Sequence, residues 1–228
     1  MVSRHRLERL IASLHREYGD PFLPPVSDPF GLIVWEQVAY LASDARRSEA
    51  FQELRTVVGV TPGAVAQADI AVLTRIAGLG GQTAVGKRAE RMRSSAARAL
   101  REWAGDLTGV LERPYEEARK ALQAFPMIGP PGADKILLLT GARPILALDS
   151  NGVRALLRLG YGSEGKHYGQ TYASVQAAAS VECKTDCEWL ARAHGLLRWH
   201  GQRTCRRGTP RCPECAIESE CPASLTNT

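Results

Sequence analysis

The chain has 228 residues, a formal net charge of +5 and a pI of about 9.0, and 44% of its residues are hydrophobic. This length suffices for one large domain or two small ones with a real core. No apolar run is long enough to span a bilayer, and the N-terminus lacks the apolar stretch of a signal peptide. We therefore expect a cytoplasmic protein, and the modest basic excess favours a polyanionic partner.

The residue pattern predicts a fold built almost entirely of α-helices. Aromatic residues make up only 6% of the chain, good helix formers are abundant, and no stretch alternates as a strand does. In the first predicted helix, over residues 4–18, Leu7, Leu10, Ile11 and Leu14 recur at helical spacing.

Capping residues, prolines and glycines mark the helices that follow. Asp28 followed by Pro29 is a cap with a first-turn proline, and the glycines of residues 78–86 interrupt the helical pattern. The helix after these glycines is basic, with Lys87 and Arg88 at its start, so we expect it to present a basic surface. In chain order, the predicted helices after the first cover residues 29–43, 46–58, 62–73, 87–103, 115–124, 133–140, 149–159 and, as two helices, 168–199.

Four cysteines near the C-terminus have the spacing of a metal site. Cys205, Cys212, Cys215 and Cys221 read C-x6-C-x2-C-x5-C. Four soft sulfur ligands suit zinc or an iron–sulfur cluster. Zinc modules usually pair two C-x2-C units, so a single such unit with long arms suits a cluster better than zinc, and free thiols remain the alternative. We interpret the other two cysteines, Cys183 and Cys187, as ordinary thiols.

The segment that contains these cysteines resembles a known family. Residues His200 to Cys221 are similar to the C-terminal loop of endonuclease III and of MutY-type adenine glycosylases, which hold a 4Fe–4S cluster. The resemblance implies that the four cysteines bind such a cluster. It also implies that three basic residues of the loop contact DNA phosphates: Arg206, Arg207 and Arg211.

A second resemblance lies upstream, in residues 122–137, which are similar to the helix-hairpin-helix of the same superfamily. That hairpin has the pattern L-P-G-V-G-x-x-x-A, and it binds a DNA phosphate through backbone N–H groups and a helix N-terminus. The resemblance places Met127, Gly129 and Gly132 at the DNA. Met127 replaces the first hairpin glycine, and Pro130 and Pro131 each remove a donor, so we expect a weaker or altered grip on phosphate. A plain packing corner between two helices is the alternative.

The hairpin also bears on the type of reaction. In endonuclease III, the position matching Pro131 is a lysine that forms a Schiff base and makes the enzyme a lyase. Proline has no amine for this reaction. Lys135 lies one turn further along the helix, and it is either a replacement nucleophile or a lysine whose stem lies along the helix surface.

Two carboxylates are the candidate catalytic residues. Asp149, in Leu-Asp-Ser-Asn-Gly-Val-Arg, resembles the aspartate found across the superfamily, and we also predict that it caps a helix. Glu36 aligns with the catalytic glutamate of MutY-type enzymes. Apolar neighbours should partly bury Glu36 and raise its pKa; a surface helix residue is the alternative.

The family resemblance assigns two further residues as DNA contacts. Leu79, in Ile-Ala-Gly-Leu, matches a leucine that wedges into the duplex, and Lys87 lies on the basic helix that follows.

Taken together, the resemblance implies an all-α, two-lobed helix-hairpin-helix DNA glycosylase fold with a cleft between the lobes. Residues 27–142 would form a six-helix barrel with the helix-hairpin-helix at 121–140. Residues 1–26 and 143–228 would form the second lobe, with the cluster loop at 205–221.

The implied function is base-excision repair. We expect a monomeric, nucleoid-associated, monofunctional glycosylase that hydrolyses the N-glycosidic bond of a damaged or mispaired base flipped out of double-stranded DNA. Two alternatives are a catalytically silent DNA-binding iron–sulfur protein and a bifunctional glycosylase/lyase that uses Lys135.

Overall fold

The computed structural model describes residues 5–225, and this part of the chain contains helices and no β-strand, which confirms the all-α prediction. The α-helices are α1 (Arg6–Tyr18), α2 (Pro29–Val38), α3 (Asp44–Val57), α4 (Pro62–Gln67), α5 (Ile70–Leu79), α6 (Val85–Trp103), α7 (Thr108–Leu111), α8 (Tyr115–Gln123), α9 (Pro130–Leu139), α10 (Ser150–Arg158), α11 (Tyr168–Ser180), α12 (Cys187–Arg203) and α13 (Pro222–Leu225). Within residues 5–225, none of the helices is both long enough and apolar enough to cross a membrane.

The described chain divides into two compact units. Residues 5–23 and 143–225 form one unit, which we call the terminal unit, and residues 24–142 form the other, which we call the central unit.

In the central unit, α2 is the buried centre. Its cap is the predicted one, since Asp28 Oδ1 accepts a hydrogen bond from the Gly31 N–H at 2.7 Å and Pro29 occupies the first turn. Nearly every side chain of α2 is buried, and α6 packs against it. The helix ends at Val38, not at residue 43 as predicted, because Ala39 has an extended backbone.

Arg88 is a correction to the predicted basic surface of α6. Its side chain is only 1% exposed, and its guanidinium donates to four backbone carbonyls, namely those of Val38, Gly80, Gly81 and Thr83. Arg88 therefore joins the end of α2 to the turn after α5. That turn needs glycine, because a Cβ at Gly80 would lie 2.4 Å from the Val38 carbonyl oxygen.

A second predicted helix also differs. The stretch predicted as one helix over residues 62–73 forms two, α4 and α5, because Ala68 is extended and Asp69 begins a new cap. The Asp69 side chain accepts from the Ala71 N–H at 2.7 Å.

The helices on either side of the hairpin are joined by a buried ion pair. Asp134, on α9, is fully buried and accepts from the Arg119 Nε at 2.9 Å and the Tyr115 hydroxyl at 3.0 Å, both on α8. Burial and the Asp134 charge raise the pKa of Tyr115 to about 12, so the phenol stays a donor to the carboxylate.

In the terminal unit, the N-terminal helix packs against C-terminal helices. α1 packs on α12, and the buried Glu182 accepts from the Leu7 N–H at 2.8 Å and the Tyr161 hydroxyl at 2.9 Å. α12 also packs closely on α10. A Cβ at Gly201 would lie 2.6 Å from the Asn151 carbonyl oxygen, so glycine is needed where α12 meets the start of α10.

Candidate functional site

Asp149 lies at the N-terminus of α10 and is held there by several donors. Its Oδ1 accepts from the N–H groups of Asn151 at 2.9 Å and Gly152 at 2.8 Å, and its Oδ2 accepts from the Asn151 side-chain amide at 2.9 Å. The predicted cap is confirmed. The carboxylate is therefore fixed in orientation, while 26% of the side chain remains exposed to an incoming group.

Positive charge near Asp149 favours its ionised form. Burial alone would raise its pKa, but His194, the Gly152 N–H, the Asn151 amide and Arg198 together hold the pKa of Asp149 below its ordinary value. The Arg198 Nε lies 3.7 Å from Asp149 Oδ2. In turn, burial and the Asp149 charge raise the pKa of Tyr168 to about 12. Asp149 is thus an oriented anion at neutral pH.

Asn151 and Arg154 connect Asp149 to the cysteine segment, and the sequence alone assigned neither residue a role. Arg154 Nη2 donates to Asn151 Oδ1 at 2.9 Å, and Arg154 Nε donates to the Cys205 carbonyl at 3.0 Å. The signal in the sequence was the Asp-x-Asn-x-x-Arg spacing, which places all three side chains around one helix start. The position of the carboxylate therefore depends on the backbone at Cys205.

The four predicted cysteine ligands converge on one cavity. Cys205, Cys212, Cys215 and Cys221 all line a space of about 270 Å³ in the terminal unit. Its wall includes apolar side chains, and Arg158 Nη1 donates to Cys205 Sγ at 3.2 Å. In residues 5–225, no three His, Cys, Asp or Glu side chains are grouped closely enough to hold a single metal ion.

A buried histidine borders the cysteine cavity. His200 lies 3.9 Å from Cys215 Sγ through Nε2, and its Nδ1 lies 3.0 Å from the Tyr18 hydroxyl. Burial lowers the pKa of His200 to about 4, so the ring is neutral at neutral pH, and burial raises the pKa of Cys215 to about 11. Cys183 and Cys187 lie outside this cavity.

In the central unit, Glu36 and Lys135 form a half-buried ion pair. Lys135 Nζ lies 2.7 Å from Glu36 Oε2, with 18% and 22% of the two side chains exposed. Lys135 is thus not a lysine lying along the surface, since it is paired with the second candidate catalytic carboxylate.

The hairpin has a non-glycine residue in a backbone conformation typical of glycine. Met127 has φ 67°, the left-handed conformation in which glycine is unstrained. Gly129 is the residue before α9, Pro130 and Pro131 occupy the first turn, and Gly132 follows them. A first-turn N–H has no partner within the helix, so the prolines disturb no helical hydrogen bond but remove two donors from the tip.

Side chains from two helices surround the hairpin tip. The Met127 side chain is 39% exposed, and Arg91 Nη1 of α6 lies 2.9 Å from its sulfur. The buried Gln37 of α2 donates to the Pro126 carbonyl at 2.8 Å. Gln37 of α2 therefore holds the hairpin in place, and the Arg91 guanidinium lies beside the exposed Met127.

The remaining predicted DNA contacts are accessible in the structure. Leu79 is the last residue of α5 and is half-buried, and Lys87 is exposed on the first turn of α6. Arg206, Arg207 and Arg211 are exposed in the segment between the first two cysteines.

Comparisons with known proteins agree with this architecture. Endonuclease III of Sulfolobus acidocaldarius is 28% identical over 203 residues, which cover 87% of this chain and 83% of that protein. A trapped endonuclease III–DNA covalent intermediate matches the fold with a TM-score of 0.76 at 17% identity, over 100% of this chain and 99% of that one. A thermostable thymine-DNA glycosylase matches with a TM-score of 0.75 at 16% identity, over 96% and 97% of the two chains. No family model matches the sequence.

The fold is therefore that of the helix-hairpin-helix DNA glycosylases, as predicted. In sequence, the chain is similar to endonuclease III over most of its length.

Proposed function

We propose that this protein is a monofunctional DNA N-glycosylase that hydrolyses the bond between a damaged or mispaired base and its deoxyribose. The observation that carries the proposal is Asp149, an oriented anion at a helix N-terminus. Cleavage of such a bond passes through a cation-like sugar, so a fixed carboxylate stabilises the transition state more than the ground state. Asp149 supplies this charge and orients the attacking water.

The departing base needs a proton, and we assign this step to the Glu36–Lys135 pair. The sequence alone suggested Glu36 as an isolated acid. Lys135 Nζ lies 2.7 Å from Glu36 Oε2, and the Lys135 ammonium carries the transferable proton of the pair. As the base leaves, Lys135 transfers a proton to Glu36, and Glu36 passes it on to the base, so Lys135 ends as a neutral amine and Glu36 as a carboxylate.

The same contact favours one second candidate, a glycosylase with lyase activity. Glu36 is placed to accept a proton from Lys135, which would leave an amine able to attack the sugar C1′ and form a Schiff base. Borohydride reduction of enzyme mixed with abasic-site DNA distinguishes the two. We expect no covalent adduct; an adduct that Lys135→Gln abolishes and the exposed Lys120→Gln retains would establish the lyase.

The partner in this proposal is double-stranded DNA with the target base flipped out. We place its backbone against the hairpin around Met127, Gly129 and Gly132, against Lys87, and against the arginines at 206, 207 and 211. Leu79 would fill the space that the flipped base leaves. Binding should weaken as salt concentration rises, because each phosphate contact releases counterions.

We propose that the four cysteines are the ligands of a 4Fe–4S cluster. Their side chains line one cavity, and a bound cation would offset the burial that raises the pKa of Cys215. When bound, the cluster would cross-link the loop that carries the arginines. Purified protein should contain about four irons and four labile sulfides. Cys215→Ser should lose them, and Cys187→Ser should not; one zinc without sulfide would refute the assignment.

A panel of lesions and mismatches in duplex DNA tests the activity itself. Release of one free base, leaving an abasic strand that breaks only with added alkali, would support a monofunctional glycosylase. Tight binding of all these duplexes with no base released would instead favour the silent DNA-binding alternative.

A further inference from the structure

The end of helix α1 reaches the cysteine cavity through a short series of hydrogen-bonding side chains. The hydroxyl of Tyr18, the last residue of α1, lies 3.0 Å from His200 Nδ1 and 2.9 Å from Thr204 Oγ1. His200 and Thr204 both line the cavity that the four cysteines share. On the other side of the ring, His200 Nε2 lies 3.9 Å from Cys215 Sγ. One imidazole therefore joins the N-terminal helix to a predicted ligand sulfur.

The His200 ring is enclosed by protein, so its neighbours define its hydrogen bonding. His200 is 2% exposed and Thr204 is 7% exposed. Within residues 5–225, the ring forms no ion pair with a carboxylate, and its two nitrogens face the Tyr18 hydroxyl and the Cys215 sulfur. A neutral imidazole has one N–H donor and one bare nitrogen that accepts. Two tautomers are therefore available, and each one reverses the direction of both contacts.

The chemical form of Cys215 decides which tautomer satisfies both contacts. A thiol can donate its proton to a bare Nε2, whereas a sulfur that binds a metal has lost that proton and can only accept. With the sulfur deprotonated, Nε2 must carry the ring proton, and Nδ1 must accept a proton from the Tyr18 hydroxyl. The single proton of that hydroxyl is then used, so Thr204 Oγ1 must donate to the phenol oxygen. The three contacts thus form one chain of donors that ends at the sulfur.

Both ends of α1 contact the cysteine segment, and these contacts hold Tyr18 beside His200. Tyr18 contacts Thr204, which is the residue before the first of the four cysteines. Arg6, the first residue of α1, donates through Nη2 to the carbonyl of Glu220 at 2.6 Å, and Glu220 is the residue before the last of them. The relation between Tyr18 and the cysteine cavity is therefore fixed at two points that lie one helix length apart.

We propose that Tyr18 fixes the tautomer of His200, so that the His200 Nε2–H donates to the deprotonated sulfur of Cys215. Tyr18 and His200 are then positioning residues for the group that the cysteines hold. The inference rests on the proposed 4Fe–4S ligation and adds two residues that are not ligands. A hydrogen bond to a ligand sulfur stabilises the form of a cluster that carries more negative charge, so this donor raises the reduction potential of a bound cluster.

The reduction potential of the purified protein, measured by protein-film voltammetry, tests this donor. Tyr18→Phe keeps the ring and removes the hydroxyl. We expect a lower potential, equivalent to a change of about two- to tenfold in the ratio of reduced to oxidised cluster at a fixed applied potential. The matched control is Tyr161→Phe, in which a tyrosine of the same unit loses its hydrogen bond to Glu182 at 2.9 Å. Tyr161 does not line the cysteine cavity, so this variant should lose stability without a shift in potential.

Thr204→Val is a second variant, and it leaves the tyrosine in place. It removes the donor to the phenol oxygen, so the potential should shift in the same direction as in Tyr18→Phe but by less. An unchanged potential in both variants, each with its full iron content, would refute the proposal. A shift in Tyr161→Phe as large as that in Tyr18→Phe would trace the effect to a loosened α1, and this result too would refute it.

The nitrogen chemical shifts of His200 report the tautomer directly and need neither iron nor catalysis. Full-length protein loaded with zinc is diamagnetic, its cysteines are deprotonated by the metal, and the signals lost in His200→Gln assign the ring. We expect the Nε2–H tautomer in wild type and in Tyr161→Phe, and a mixture of tautomers in Tyr18→Phe. The Nδ1–H tautomer in wild type, or an unchanged ring in Tyr18→Phe, would overturn the proposal. If the purified protein itself holds one zinc and no sulfide, the proposed cluster is wrong, and these chemical shifts still decide whether Tyr18 directs His200 toward Cys215.

Discussion

Replacing Asp149 with asparagine separates its charge from its structural role. In this variant the side-chain oxygen can still accept from the Asn151 and Gly152 N–H groups, which Asp149 Oδ1 does at 2.9 and 2.8 Å. Asparagine is as good a cap as aspartate. The new amide would face the Asn151 side-chain amide, which now donates to Oδ2 at 2.9 Å, so one hydrogen bond is lost. The free energy of unfolding should therefore fall by only about 1–2 kcal/mol.

The effect on the reaction should be much larger. Removing one preorganised charged group lowers rates by about 10²–10³-fold, which corresponds to roughly 3–4 kcal/mol in the activation free energy. Single-turnover base release on the substrate found in the lesion panel measures this rate, and anisotropy with the same duplex measures binding. Binding should stay within about threefold of wild type, because the charge acts on a cation that exists only in the transition state.

The matched control is Asp186→Asn. Asp186 caps α12 in the same unit through an acceptor bond from the Trp189 N–H at 2.7 Å, and it is exposed. This variant should release base at the wild-type rate. Equal rates for wild type and Asp149→Asn would refute the electrostatic role of Asp149, and an equal loss in both variants would trace the effect to helix capping.

The pKa of Asp149 and two contacts in the central unit give three further predictions. The pKa of Asp149 is lowered, so its charge is lost only as pH falls through that lowered pKa. Single-turnover rates should therefore show no loss from protonation of Asp149 as pH falls to about 4, the ordinary aspartate value. A rate loss centred at about pH 6 that disappears in Asp149→Asn would contradict this. Met127→Gly relieves the left-handed φ of 67° and should raise the free energy of unfolding by about 0.5–1 kcal/mol in urea titrations; a fall would show that the contact with Arg91 outweighs the strain and would contradict this. Asp134→Asn leaves Arg119 without its buried carboxylate and should lower the free energy of unfolding by about 3 kcal/mol, whereas Glu102→Gln, in an exposed pair, should have no measurable effect.

Much of the helical architecture was predictable from local signals. The predicted caps at Asp28 and Asp149 form as expected because a side chain and the next few N–H groups suffice to make them. Errors arose where the local signal was weak. α2 ends earlier than predicted because Ala39 is extended, and the carbonyl of Val38, its last residue, accepts from Arg88, a residue fifty positions away that had been interpreted as part of a basic surface. A surface arginine and a buried one look alike in sequence, since only packing decides which carbonyls reach the guanidinium.

The sequence by itself determined which residues we propose for the chemistry, because the spacing of the cysteines and the segments around Asp149 and the hairpin are local patterns. Only the tertiary structure decided their partners. It pairs Glu36 with Lys135, which is far away in the chain, and it links Asp149 through Asn151 and Arg154 to the Cys205 backbone. It also places Tyr18, at the end of the first helix, against His200 at the cysteine cavity. Such contacts depend on how distant helices pack, and the charge state and exposure of each group follow from those partners and not from the neighbours in the chain.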